Sequence, residues 1–133
     1  MSDSFDLITI ATDNGFFSEE NYRISLVNKG NKFFLRGKIM HRNRQSLEKQ
    51  SMKDSVPVTP EWANGILEEL RKADIPLFPP GRYGCDGSFF TMTVGDGFGG
   101  ATYRWWSEPP EGWEILPKVA REILDEFLKH LPA

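Results

Sequence analysis

"YRISLVNKGNKFFLRGKIM", residues Tyr22 to Met40, is the stretch on which the fold turns. Tyr22, Ile24 and Leu26 alternate with Arg23 and Ser25, the period of two expected of a strand buried on one face only. Asn28-Lys29-Gly30-Asn31 then provides a tight hairpin connection. Beyond it Phe33, Leu35 and Ile39 face one way, while Phe34, Arg36, Lys38 and Met40 face the other. Strands joined by so short a turn must run antiparallel, because a parallel pair needs a long crossover.

The flanking segments extend this pattern. Phe5 to Thr12, "FDLITIAT", is β-branched, but both of its alternating sets contain apolar residues. It reads either as a strand buried on both faces or as one whose register is concealed. Asp13-Asn14-Gly15 follows as a turn. From His41 to Val58 the chain is polar. An extended hairpin, a further short strand and a loop all stay open there, although a structureless loop of that length is unusual in a small domain.

Two helices are expected. Thr59 suits an N-cap, Pro60 the first helical position and Glu61 the positive end of the helix dipole. Trp62, Ile66, Leu67, Leu70 and Ala73 then recur on one face, and Ile75-Pro76 closes the segment. Pro76 to Gly87 is a turn-rich connector. Ser88 to Val94 and Ala101 to Ser107 alternate as two more strands. A last helix is expected from about Trp113 to His130, with Leu116, Val119, Ala120, Ile123, Leu124, Phe127, Leu128 and Leu131 as its apolar positions and Pro117 tolerated in the first turn.

The order β-β-β-α-β-β-α gives the fold class: α+β, an antiparallel sheet of about five strands with two helices packed mainly on one face. The 133 residues suit a single domain spanning residues 1–133, large enough to bury about two-thirds of its unfolded surface. The order of the strands within the sheet is not specified by these patterns.

Met1 to Phe5 carries no positive charge and no apolar run follows, so no secretory signal is expected. No stretch reaches membrane-spanning length. Cys85 is the one cysteine, which excludes an internal disulfide and a Cys-rich zinc framework. A cytoplasmic protein without membrane association is the expectation. The net charge of −3 is unevenly placed, with residues 21–60 at +7 between segments of −5 each. Such a basic centre is either an electrostatic footprint or a charge set neutralised across the fold.

Gly95 to Gly100, "GDGFGG", has the spacing G-x-G-x-x-G. A dinucleotide site would need a helix after the third glycine, whereas a strand with Trp105-Trp106 follows. A kinase loop would need partner motifs that this chain lacks. The loop therefore reads as a wide hairpin turn using the positive φ angles open to glycine, with Phe98 at its tip. A hydrolase using Cys85 and Asp86 would need a histidine base, and no pattern brings His41 or His130 to them. Asp86 and Asp96 flank one strand too far apart to share an ion, and no H-x-x-x-H, C-x-x-C or EF-hand spacing occurs. No catalytic residue, metal ligand or cofactor is assigned.

The residues opposite the apolar sets form the most informative group. Arg23, Ser25, Phe34, Arg36, Lys38, Phe89, Thr91, Thr93, Thr102, Arg104 and Trp106 contain aromatic and basic side chains and no acid. Aromatics and arginine dominate interface energetics, and rings interleaved with bases also stack nucleobases. The alternatives are that these rings are covered by residues 41–58 or the N-terminal strand, or that Arg104 merely stacks on a neighbouring ring.

The segment Gly84 to Trp113 carries Asp86-Gly87-Ser88, Trp105-Trp106 and Pro110 followed by Trp113. It resembles small uncharacterised bacterial domains with a D-G-S/T strand, a hairpin ending in W-W and a P-x-x-W entry to a final helix. The likeness covers about a quarter of the chain. Domains of this build also occur among toxin-immunity proteins, which act by binding. The preferred expectation is a non-enzymatic binding module in which Arg23, Phe34, Arg36, Lys38, Phe89, Arg104 and Trp106 contact a protein partner with an acidic or mixed surface. Nucleic acid at the same face, a homodimer through it, and the Cys85/Asp86 hydrolase are the alternatives.

Overall fold

The computed structural model describes residues 4–13, 20–42, 48–79, 89–95, 99–106 and 108–131. They form six strands and two helices: β1 (Ser4–Asp13), β2 (Glu20–Lys29), β3 (Lys32–Arg42), β4 (Glu48–Val58), α1 (Pro60–Lys72), β5 (Phe89–Gly95), β6 (Gly100–Trp106) and α2 (Ile115–Leu128). The strands make one sheet in the order β4-β3-β2-β1-β5-β6, antiparallel at every pairing. The α+β class and the single helical layer therefore stand, with six strands rather than five. The added strand, β4, lies in the segment that the sequence left open. Among its described side chains, Val56 and Val58 join the core. An edge strand has one neighbour and is commonly polar and interrupted by proline; here that proline is Pro57.

The β2–β3 hairpin closes on Gly30 and Asn31, with Lys29 opposite Lys32. Gly30 takes φ 63°, the left-handed conformation that two-residue hairpin loops demand. Asn28 Nδ2 donates to the Gly30 and Lys32 carbonyls at 3.2 and 3.3 Å.

β1 occupies the middle of the sheet, between β2 and β5. A register shift between Asp6 and Ile8 explains its doubled apolar pattern. The extra residue, Leu7, packs against the core beside Ile8 and Ile10. A bulge thus turns two consecutive side chains toward one face.

Ile8, Ile10, Ile24, Leu26, Leu35, Ile39, Met92 and Trp105 supply the sheet half of the core. Ala63 and Ile66 of α1, and Leu116, Val119, Ala120, Ile123 and Phe127 of α2, supply the other half. Each fully buried aliphatic or aromatic chain stabilises by about 1.5–3 kcal/mol relative to exposure. Leu128, assigned to the apolar face of α2, is instead exposed.

Thr59 Oγ1 accepts from the Trp62 amide at 3.1 Å, as its position before Pro60 predicts. Thr59→Ala should cost about 1 kcal/mol and lower the melting temperature by about 3 °C, measurable by calorimetry. α2 has no side-chain cap. Trp113 precedes the helix rather than beginning it; its Nε1 donates to the Pro76 carbonyl at 2.8 Å, and its ring meets Tyr103 edge-on at 5.4 Å. Lys118 of α2 reaches Glu69 of α1 at 3.2 Å. The Glu69 hydrogen bond and charge, with a smaller contribution from Glu122, raise the Lys118 pKa above 10.5. This helix–helix tie is present below that pH and is lost as the pH rises through the elevated value.

Candidate functional site

Among the described residues, the second face of the sheet carries none that pack against a helix, and cross-strand register arranges it in rows. Arg36, Ser25, Thr9, Thr93 and Thr102 lie in line across β3, β2, β1, β5 and β6. The next row is Lys38, Arg23, Ala11, Thr91 and Arg104, with Met52 of β4 beside Lys38. Phe89 and Trp106 pair beyond it. Thr9 and Ser25 hydroxyls lie 2.9 Å apart, and those of Thr93 and Thr102 lie 3.1 Å apart. Hydroxyl pairs satisfy one another, so the middle of the face is polar and uncharged.

All seven residues expected to contact a partner lie on this face, but in two groups. Arg23, Phe34, Arg36 and Lys38 sit on β2 and β3; Phe89, Arg104 and Trp106 sit on β5 and β6. Three strand spacings, about 14 Å, separate β2 from β6. The lane between them is floored by small side chains such as Ala11 and Thr9.

The β5–β6 group is an organised aromatic corner. Phe89 and Trp106 meet edge-to-face with centroids 4.2 Å apart. The Arg104 guanidinium carbon stands 4.0 Å over the Phe89 centroid, a cation–π contact that restrains the cation while leaving it exposed. The three expected ring positions, Phe34, Phe89 and Trp106, are each half-buried. Arg104 on its ring is the cross-strand stacking anticipated as an alternative, and it coexists with an accessible charge.

The β2–β4 group surrounds a depression of about 260 Å³ lined by Asp6, Arg23, Arg36, Lys38, Lys53 and Asp54, among others. The expectation of a face without acids is corrected here. Asp6 Oδ1 lies 2.8 Å from Arg36 Nη2, a pair that bridges β2 from its two neighbours. The register shift in β1 brings Asp6 opposite Val27. Val27 and Ser25 beneath are 0% and 8% exposed, so this part of the face is sealed although no helix lies on it. The pair itself is half exposed and worth at most about 1 kcal/mol. Arg23, Lys38 and Lys53 have no ion-pair partner among the described residues.

Lys53 and the 56%-exposed Met52 belong to the site but were not expected. Their strand could not be located from its pattern, so neither could their facing. Cys85 and Asp86 lie outside the described residues, as do Asp96 and Phe98. The glycine loop does join a hairpin, Gly95 pairing with Gly100. Among its described glycines, however, none has positive φ. What Gly100 provides is closeness, since a Cβ there would stand 2.5 Å from the Val94 carbonyl oxygen.

Among the described residues no cluster of His, Cys, Asp and Glu could hold a metal, and no helix is long and apolar enough to cross a membrane. Comparison of the chain with protein-family models, curated proteins and solved structures gives no match.

Proposed function

We propose that this protein is a non-enzymatic binding module, working in the cytoplasm, whose helix-free sheet face holds an acidic protein surface. The observation that supports this reading is the set of cations around the depression. Arg23, Lys38 and Lys53 stand without carboxylate partners among the described residues, while only Arg36 is neutralised. Uncompensated charge of one sign draws an oppositely charged partner and fixes its orientation. The Phe89–Trp106 corner with Arg104 supplies the side-chain types that yield affinity once water is excluded. The two groups fit a partner that spans the polar lane. An inhibitor of the immunity type, acting by occlusion, is one form of this activity.

Asp6 and Asp54 in the depression favour protein over nucleic acid, because a protein surface of mixed charge can set a basic side chain against them among its acids, whereas a phosphate backbone offers only anions. The test is affinity capture from host lysate, comparing wild type with Arg23→Glu/Lys38→Glu. Both positions are exposed, so the melting temperature should hold. An acidic protein retained by wild type should bind the variant at least about tenfold more weakly. Undiminished capture by the variant would overturn the reading. So would preferential retention of single-stranded oligonucleotide with a steep loss on adding salt.

A further inference from the structure

A second surface, on the helix side, has two complementary features. The first is a knob. Leu77 and Phe78, in the connector after α1, are 80% and 94% exposed. Their mounting is firm: Trp113 Nε1 holds the Pro76 carbonyl at 2.8 Å. Gly112, at φ 95°, packs so close that a Cβ there would meet the Pro76 ring at 2.8 Å. Two large apolar side chains are therefore offered to solvent next to an anchored backbone.

The second feature is a groove of about 370 Å³ between α1 and the β5–β6 hairpin. Leu67, Leu70, Ile75, Val94, Ala101 and Tyr103 are among its lining residues. Its volume lies within the range of sites that take a drug-sized apolar group. Ile75 lines the groove, and Leu77 is two residues farther along the chain, so the knob follows directly on the groove's rim in the sequence.

Adjacent, mutually complementary features are what a two-fold interface requires, since each copy must offer both halves of every contact. Arg71 borders the groove, where its Nη1 also reaches Glu68 of the same helix at 3.5 Å, an exposed pair weak enough to exchange for another carboxylate. Asp74, exposed on the way to the knob, has no ion-pair partner among the described residues. We infer that the chain forms a two-fold homodimer in which Leu77 and Phe78 of each copy fill the groove of the other, with Arg71 of one facing Asp74 of the other. The occupant is a second copy because one chain carries the knob, the groove and both charges. This surface is separate from the helix-free face, so the dimer stands or falls independently of the binding proposal.

Sedimentation velocity on the purified chain from about 10 µM to about 1 mM tests it. The mass should rise with concentration from 15.2 kDa toward twice that value. Phe78→Asp removes the knob, and Ala101→Trp fills the groove from the edge strand. Both positions are exposed, so both variants should keep the wild-type melting temperature. Each should dissociate at least about 30-fold more readily. An equimolar mixture of the two retains one intact knob and one intact groove, and should associate more strongly than either variant alone. Three results would overturn the inference: a monomeric wild type at every concentration, a dimer indifferent to Phe78→Asp, or a mixture no stronger than its components.

Discussion

Gly37→Ala is expected to destabilise the protein by about 3 kcal/mol, among the largest effects of any one-methyl change in this chain. Gly37 lies opposite Ile24 in the β2–β3 pairing, beside a register shift on its other flank. A Cβ at this position would stand 2.5 Å from the Arg23 carbonyl oxygen and 2.8 Å from the Ile24 Cα. Both are backbone atoms of the adjoining strand, so no rotamer change relieves the contact. The strands would have to separate, weakening a ladder that also carries Arg23 and Lys38. Gly65→Ala is the control. Gly65 lies within α1 with open space where a Cβ would go, so alanine there should stabilise by about 0.5–1 kcal/mol. Urea unfolding at constant m separates the two. Equal midpoints for Gly37→Ala and wild type would refute the close-approach argument.

Trp113→Ala should cost about 4 kcal/mol. The indole is buried among the core residues, meets Tyr103 edge-on and donates to the Pro76 carbonyl. It therefore joins three parts of the chain: the entry to α2, strand β6 and the connector. Trp113→Phe separates these contributions. It keeps an aromatic ring in the core but loses the donor, at about 1–2 kcal/mol. Hydrogen exchange should then rise in residues 73–79 ahead of the helices, because the tie to Pro76 is gone while the core remains. Uniform exchange across the molecule would mean that the bond does not hold the connector.

Much of the architecture was legible in the residues, and what was not has definite physical causes. The β2–β3 hairpin showed itself because Ile24, Leu26, Leu35 and Ile39 recur at the period of a half-buried strand. Thr59-Pro60 marked a helix start because a free hydroxyl and a missing amide both suit unpaired helical N–H groups. β4 escaped because an edge strand needs few apolar residues, and Val56 and Val58 alone are too few to show a period. β1 gave a doubled pattern because a register shift brings Leu7 inward next to Ile8. The sequence pattern starts the last helix at about Trp113, whereas in the fold Trp113 precedes α2 and is held by a bond to Pro76, 37 positions away.

The candidate site divides along the same line. Alternation alone placed Arg23, Phe34, Arg36, Lys38, Phe89, Arg104 and Trp106 on one face, since facing in a strand depends only on parity. Which cations stay unpaired depended on the fold. Arg36 is neutralised by Asp6, 30 positions away, and only the strand order and the register shift bring them together.

Local chemistry, then, determined every element except β4 and, outside the register shift of β1, the facing of their side chains, because those follow from neighbours a few bonds apart. Tertiary structure decided that β1 sits in the centre, that β4 forms the edge and that the exposed face splits into a charged depression and an aromatic corner. These outcomes arise from contacts between distant segments, whose energies depend on how the whole sheet is assembled and on no short window of residues.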